Sequence, residues 1–179
     1  GYPDQAGTKP PPRVARPMKI LAVSDRVLDK LYSSKVGQLF PDVDLLVGCG
    51  DLPFYYLDFL TSALDVPLVY VRGNHDDGPQ YAADGNIWSD VRGGMDIHGK
   101  VVERKGLILA GLQGSMRYKP YGEYMYTEAE MRMAVAQMAP RLLWNRQRYG
   151  RALDILITHS PPYGIHDRPD APVSYTHLR

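Results

Sequence analysis

The sequence predicts an α/β fold built around a parallel β-sheet, and three patterns support this prediction. Short apolar runs recur along the chain, at residues 18–23, 43–47, 68–71 and 153–157. Runs of this length are typical of strands that are buried on both faces. Segments with helical spacing separate the first three runs, as in βαβ units. Each run stops at a polar residue, so a functional site is expected at the carboxyl ends of the strands.

Two helices are predicted between the first three strands. The first has apolar residues at helical spacing, namely Leu28, Leu31, Tyr32, Val36 and Leu39. Pro53 is suited to open the second helix, because proline is favoured at the first helical position. The apolar face of that second helix carries Tyr56, Leu57, Leu60 and Leu64.

The pattern changes after the third strand. Residues 77–90 read as a loop, and residues 95–111 read as short strands with turns at Gly99 and Gly106. These strands are expected to form a second sheet facing the first. His98, beside Gly99 in the predicted hairpin, is expected to be an exposed turn histidine rather than a ligand.

Two further helices are predicted before the last strand. Thr127 and Glu130 form a capping-box pattern, which predicts a helix start at this point. Pro140 is predicted to open another helix, which Gly150 closes. This second helix and its end carry several arginines, Arg141, Arg146, Arg148 and Arg151. A solvated helix face is the favoured interpretation of these arginines, and a nucleic-acid contact is the alternative.

Composition describes a single domain and excludes some classes of protein. The chain has 179 residues, with 21 basic against 20 acidic side chains, which gives no general attraction to nucleic acid or to an anionic membrane. The single cysteine, Cys49, excludes an internal disulfide and a thiolate metal cluster. No apolar stretch approaches the length of a membrane span, and a cytoplasmic location is expected.

The two ends of the chain are predicted to lie outside the domain. Residues 1–17 contain five prolines and little apolar periodicity, so we expect a flexible leader. Residues 172–179 resemble a translated adapter sequence, so a non-native tail is expected there. The predicted domain therefore covers residues 18–171, and the chain is expected to be truncated at its carboxyl end.

The polar residues at the four strand ends form a set of metal ligands. They are Asp25, Asp51, Asn74 and His159. Hard divalent cations favour carboxylate and amide oxygens, and borderline transition metals add imidazole. Asp51, on the middle strand, is the natural bridge between two metal ions. Taken singly, each residue has an ordinary alternative: Asp25 as a helix N-cap, Asp51 as a turn residue, and His159 as a hydrogen-bonding loop residue.

With these motifs in this order, the chain resembles the calcineurin-like metallophosphoesterase superfamily. The pattern of that family is Asp-x-His, Gly-Asp, Gly-Asn-His-Asp/Glu, a lone His, and Gly-His-x-His. The first four motifs correspond here to residues 25–27, residues 50–51, residues 73–76 and His159. Residues 114–118 and 159–162 are similar to a prokaryotic branch of the superfamily. The resemblance implies a four-layer αββα sandwich of two mixed β-sheets.

The resemblance also implies two divalent metal ions, of manganese, iron, zinc or nickel. Asp25 would hold one ion, Asn74 and His159 the other, and Asp51 would bridge them. His75 would act as the general acid that protonates the leaving oxygen. Two departures from the family pattern bear on this centre. Val27 replaces the histidine of Asp-x-His, and Gly-His-x-His is absent from the chain.

Four more residues are assigned roles around this centre. Asp76 either orients His75 through a hydrogen bond or closes the turn. Asn74 would also contact the substrate. Arg117 is a candidate phosphate clamp, with a surface salt bridge as its alternative. His166 is a candidate for lining the cleft, with a loop hydrogen bond as its alternative.

The function predicted from these features is hydrolysis of a phosphomonoester or a phosphodiester. The expected partner is a small-molecule or nucleotide phosphoester, without nucleic acid or membrane. Two alternatives are a non-catalytic binding or scaffold protein with the same fold and a metal-dependent nuclease. Val27 would be a symptom of the scaffold protein, but the intact motif at residues 73–76 argues against it. The arginine-bearing helix is the only support for the nuclease. Because of the expected truncation, this chain is predicted to be a poor enzyme and the complete protein the hydrolase.

Overall fold

The computed structural model describes residues 17–76, 78–81, 85 and 87–161. The helices are α1 (Val36–Leu39), α2 (Phe54–Leu64) and α3 (Glu128–Tyr149). The strands up to residue 96 are β1 (Ile20–Val23), β2 (Leu45–Cys49), β3 (Leu68–Val71), β4 (Gln80–Tyr81), β5 (Ile87–Trp88) and β6 (Gly94–Asp96). The later strands are β7 (Val101–Arg104), β8 (Leu107–Leu112), β9 (Ser115–Met116), β10 (Met125–Tyr126) and β11 (Ile155–Thr158). This mixture of helices and strands confirms the predicted α/β class.

Two larger sheets organise the described residues. The first has the strand order β1-β2-β3-β6, and each neighbouring pair in it is parallel. The second has the order β11-β8-β7, with β11 parallel and β7 antiparallel to β8. The turns predicted at Gly99 and Gly106 do separate β6, β7 and β8, although β6 joins the first sheet. Because β1, β2 and β3 are parallel, their carboxyl ends lie at one edge.

Alternate residues of the central strands face two different cores. In β3, Leu68 and Tyr70 pack with residues of α2. Val69 and Val71 pack instead against Leu109 and other residues of the second sheet. Because both faces of β3 are covered, all four of its residues are apolar. The outer face of the second sheet packs on α3, so the layers follow the order helix, sheet, sheet, helix.

The two long helices begin as their sequences predict, but α3 does not break at its proline. Pro53 is the N-cap of α2, and Thr127 forms a complete capping box with Glu130 at the start of α3. The prediction that Pro140 opens a separate helix is wrong, because α3 runs through it to the cap at Gly150. The buried residues of α3 are Met131, Met138 and Asn145. They recur every seven residues, so the same face of one helix stays buried on both sides of the proline.

Two other local predictions are wrong. The helix predicted between β1 and β2 is reduced to the single turn of α1, since the preceding residues form turns. Leu28 there is 52 % exposed and Tyr32 is 46 % exposed, so the apolar spacing does not form a buried stripe. The segment 77–90, predicted as a loop, contains the antiparallel pair β4 and β5. The Gln80 side chain of β4 accepts a hydrogen bond from the Phe54 N–H at 2.8 Å, which satisfies a free donor at the start of α2.

His98 is more enclosed than an exposed turn residue. Its ring stacks on Tyr126 with the centroids 5.4 Å apart, and its Nδ1 accepts a hydrogen bond from the Gln113 N–H at 3.1 Å. Burial, aided by the charge of Lys100, holds the pKa of His98 below its ordinary value despite the opposing charge of Asp96. The prediction of an exposed histidine at this position is therefore wrong.

In the described part of the chain, no helix combines the length and the apolar character that crossing a membrane requires.

Candidate metal centre

The carboxyl ends of four strands bring the predicted ligands together. Asp25 follows β1, Asp51 follows β2, Asn74 follows β3, and His159 directly follows β11. Ligand atoms of Asp25, Asp51 and His159 all lie within 4.8 Å of one another. Asn74 Oδ1 lies 3.1 Å from His159 Nε2. The structure therefore gathers the four residues that the sequence selected, although β11 belongs to the second sheet.

The backbone at the ends of β1 and β2 adopts left-handed conformations. The φ angles are 63° at Asp25, 93° at Gly50 and 56° at Asp51. A left-handed conformation outside glycine costs about 1–3 kcal/mol and persists only where the surroundings enforce it. Here the Asp25 N–H donates to the Gly50 carbonyl at 3.1 Å, which joins the two strand ends. Asp25 is followed by turns, so the structure excludes the alternative that it caps a helix.

Glycines at the ends of β2 and β3 permit the close approach of these segments. A Cβ atom on Gly73 would lie 1.9 Å from Asp51 Oδ1 and 2.5 Å from the Asp51 nitrogen. A Cβ atom on Gly50 would lie 2.7 Å from His159 Nδ1 and 2.5 Å from the Gly73 nitrogen. Real Cβ contacts do not reach such distances, so a side chain at either position would push the ligands apart. The lack of space for a Cβ atom thus explains why glycine stands before Asp51 and before Asn74.

Asp51 is the most constrained carboxylate of the centre. Its Oδ1 accepts a hydrogen bond from the His75 N–H at 2.9 Å, and its Oδ2 lies 3.5 Å from His159 Nε2. Burial raises the pKa of Asp51, but the hydrogen bonds and charges of His159 and His75 outweigh it and hold that pKa below its ordinary value. The carboxylate is therefore ionised at neutral pH and available as a ligand.

His159 presents one ring nitrogen to the centre. Its Nδ1 lies 2.8 Å from the Cys49 carbonyl, which can only accept, so Nδ1 carries a proton. Its Nε2 faces Asn74 Oδ1 at 3.1 Å and Asp51 Oδ2 at 3.5 Å. Burial lowers the pKa of His159, but Asp51 above all, then Cys49 and Asp25, raise it beyond its ordinary value. A proton or a cation at Nε2 is thus favoured.

The atoms that meet at Nε2 fit a divalent cation. In the neutral form of His159 that has its proton on Nδ1, three atoms with lone pairs converge without a donor between them. Carboxylate oxygen, amide oxygen and imidazole nitrogen are the ligand types that manganese, iron, zinc and nickel accept. The carbonyl of Cys49 orients the imidazole ring from behind, as commonly occurs for metal-binding histidines. The described residues therefore form a possible metal-binding group.

His75 and Asp76 have different environments beside this group. His75 is exposed and lines a cleft of about 410 Å³ together with Asp25, Asp51 and Gln80. Asp76 is only 8 % exposed. Its Oδ2 accepts hydrogen bonds from the N–H groups of Gly73 at 2.6 Å and Asp51 at 2.9 Å. This geometry corresponds to the turn-closing role, and the orienting role toward His75 stays a prediction.

The remaining predicted residues are not brought into the group by the described contacts. The guanidinium of Arg117 donates to the Met125 carbonyl at 3.1 Å and pairs with Glu130 at 3.3 Å. This salt bridge matches the alternative given for Arg117, and its role as a phosphate clamp stays a prediction. Val27 packs against the core cluster of β1 and α2. His166 lies outside the described residues.

Two residues of the site were not selected from the sequence. Tyr118 accepts a hydrogen bond from Asn74 Nδ2 at 3.2 Å. Arg72, just before the Gly-Asn-His-Asp motif, bonds to Asp96 at 3.3 Å and to the Tyr124 hydroxyl at 3.0 Å. The contacts of Arg72 could have been anticipated from its position at the end of an apolar strand, because a partly buried arginine needs polar partners. Tyr118 lies in the segment 114–118 that resembles the prokaryotic branch, but that resemblance assigned no contact to it.

The fold and the site together describe an α/β protein with a possible metal-binding group at the carboxyl ends of its strands. A family model described as calcineurin-like phosphoesterase matches residues 18–178. The chain therefore belongs to the calcineurin-like phosphoesterase family. No match is found among curated proteins.

Proposed function

We propose that the protein is a metal-dependent phosphoesterase that hydrolyses a phosphomonoester or a phosphodiester. The observation that carries this proposal is the convergence of Asp51, Asn74 and His159 around one point, with Asp25 beside them, in a chain of this family. We propose that these four residues hold two divalent ions, with Asp51 between them, and that manganese is one ion that the centre accepts. When bound, such ions stabilise negative charge on a phosphoryl group as Lewis acids.

His75 is proposed as the general acid of this reaction. Its backbone is fixed by the hydrogen bond from its N–H to Asp51 Oδ1 at 2.9 Å, and its imidazole is exposed in the cleft. A fixed backbone with an accessible side chain suits a residue that donates a proton to the leaving oxygen. Positioned proton donation typically contributes about 10²–10⁴-fold to rate. Asp76 supports this residue indirectly, by holding the turn on which His75 lies.

The proposed substrate is a small-molecule or nucleotide phosphoester. Asn74, Arg117 and His166 are its proposed contacts, of which Arg117 would first have to leave Glu130. The balance of 21 basic and 20 acidic residues provides no general attraction to nucleic acid. We propose a cytoplasmic location and no membrane partner.

One observation supports a second candidate function. Val27, which stands where the family pattern has a histidine, packs into the core cluster. A centre without that imidazole binds one of its two ions more weakly. A protein that keeps the fold and binds a partner without catalysis would have the same feature. Metal binding together with the absence of turnover would favour this alternative.

The proposed function is tested by hydrolysis of p-nitrophenyl phosphate and bis-p-nitrophenyl phosphate with excess Mn²⁺. The wild-type chain is compared with His75→Ala and Asp51→Asn, and Arg132→Ala on the exposed face of α3 is the control. We expect slow turnover that EDTA abolishes, that falls about 10²–10⁴-fold in His75→Ala and that the control retains. Turnover that is indifferent to EDTA or to His75→Ala would contradict the proposal.

A further inference from the structure

The side-chain amide of Asn74 is held from both ends. Its Oδ1 lies 3.1 Å from His159 Nε2, and its Nδ2 donates to the Tyr118 hydroxyl at 3.2 Å. Asn74 itself is 8 % exposed, so water has little access to either end of the amide. The Tyr118 hydroxyl is thus the described partner on the side of Asn74 that faces away from His159.

Tyr118 directly follows a segment whose backbone is anchored at two points. Before it, the Gly114 N–H donates to the Arg72 carbonyl at 2.8 Å, which attaches the segment to the end of β3. Next to it, the Arg117 N–H donates to the Tyr126 carbonyl at 2.9 Å. The Arg117 guanidinium binds Glu130 in the first turn of α3 at 3.3 Å. The backbone that leads to Tyr118 is therefore held in place beside the end of β3.

We propose that Tyr118 is a positioning residue for Asn74, which it holds with the carbonyl oxygen toward the metal centre. The proposal rests on the proposed function, since it takes Asn74 as a metal ligand. An amide held through its Nδ2 loses little further freedom when its Oδ1 binds a cation. Without the Tyr118 hydroxyl the amide rotates more freely, and part of this freedom is lost at each binding event.

The expected effect is moderate, because Tyr118 is 39 % exposed and acts through a single hydrogen bond. A neutral hydrogen bond of this kind corresponds to an affinity change of about threefold to tenfold. Tyr118→Phe removes the hydroxyl and keeps the ring. Tyr121→Phe is the matched control, because Tyr121 lies in the same segment and is 89 % exposed.

The test is a titration of the chain with Mn²⁺, with free Mn²⁺ followed by electron paramagnetic resonance. We expect Tyr118→Phe to bind Mn²⁺ about threefold to tenfold more weakly than wild type, and Tyr121→Phe to bind it equally well. Asn74→Ala is expected to lose at least as much affinity as Tyr118→Phe. The thermal unfolding temperature in EDTA is expected to be slightly lower for Tyr118→Phe than for Tyr121→Phe, because Asn74 Nδ2 loses its partner. A loss of Mn²⁺ affinity measured well below both unfolding temperatures then reports positioning and not unfolding.

The outcomes distinguish this proposal from the proposed function. Wild-type affinity in Tyr118→Phe together with a loss in Asn74→Ala would overturn the role of Tyr118 and leave the metal centre intact. Wild-type affinity in Asn74→Ala would overturn the ligand role of Asn74 and the positioning role with it. A wild-type chain that binds no Mn²⁺ would overturn both proposals.

Discussion

Replacing Asp76 tests whether this carboxylate holds the turn after β3. Its Oδ2 accepts the N–H groups of Gly73 at 2.6 Å and Asp51 at 2.9 Å, so one oxygen atom ties the ends of β2 and β3 together. Asp76→Ala removes this acceptor and leaves two backbone donors without a partner, in a place that is 8 % exposed. Asp76→Asn keeps a neutral acceptor of the same size.

The two variants are expected to differ in stability. A buried donor left unsatisfied costs about 1–3 kcal/mol, so Asp76→Ala should lower the free energy of unfolding by about 2–6 kcal/mol. Burial above all, together with the charge of Asp51, raises the pKa of Asp76 although its hydrogen bonds lower it. The negative charge is thus not what stabilises the turn, and Asp76→Asn should remain within about 1 kcal/mol of wild type.

Urea unfolding followed by far-UV circular dichroism measures these differences, with EDTA present so that bound metal does not contribute. Asp29→Ala, at an exposed position in the turns after β1, is the control. The turn-closing role is refuted if Asp76→Ala is as stable as wild type, or if Asp76→Asn loses as much stability as Asp76→Ala. A stable Asp76→Asn with impaired turnover would assign to Asp76 the orientation of His75 in addition to the closing of the turn.

Two further predictions concern stability away from the ligands. Arg72→Met should lower the free energy of unfolding by about 2–4 kcal/mol, because it leaves the largely buried Asp96 without its ion pair. Lys19→Met, which breaks an exposed pair, should cost less than about 1 kcal/mol, and equal losses in urea unfolding would contradict this explanation. The pKa of His98 is lower in the folded protein than in the unfolded chain, so the unfolded chain binds the proton more readily. The contribution of neutral His98 to the free energy of unfolding is therefore complete above the pKa of the unfolded chain and is lost as pH falls through the pKa of the folded protein. The fall in unfolding free energy from pH 7 to pH 5 should be smaller in His98→Gln than in wild type, and the glutamine still offers an acceptor to the Gln113 N–H. Equal falls in the two proteins would contradict this role of His98.

The strand ends of the site were predictable because of how parallel strands are buried. A strand covered on both faces is apolar throughout, as in β3, and the first polar residue after it marks its end. Parallel pairing then places Asp25, Asp51 and Asn74 at one edge without further information. The same strand-end pattern selected His159, but β11 lies in the second sheet, so the approach of His159 to Asn74 depends on the packing of the two sheets, which the local sequence did not reveal.

The helices were less predictable, because burial rather than spacing decides where they form. Leu28 and Tyr32 have helical spacing but are 52 % and 46 % exposed while Leu31 is buried, so the apolar residues do not share one buried helical face. Conversely, Pro140 lies within α3 because the buried side chains of Met131 and Met138 continue to Asn145 on the same face. The local sequence around Pro140 does not reveal such packing.

The contact between Tyr118 and Asn74 was beyond reach for a different reason. The two residues are 44 positions apart and meet through the ends of two flexible polar groups. No periodicity marks such a pair, and the neighbouring Arg117 offered a more obvious phosphate-binding chemistry. Its guanidinium is instead engaged by Glu130. Contacts between loops depend on the final backbone path, which residue types alone do not determine.

The separation of the ligands along the chain has a consequence for folding kinetics. His159 meets Asn74 across 85 positions and Cys49 across 110 positions. Contacts over such separations form only after the two sheets have assembled, because closing the intervening chain carries an entropic cost before any contact rewards it. If the proposed residues bind a cation, its complete set of ligands would exist only in the assembled molecule. Interactions that are absent from the transition state slow unfolding and leave the folding rate unchanged. A bound ion would therefore slow the unfolding of the protein without accelerating its folding.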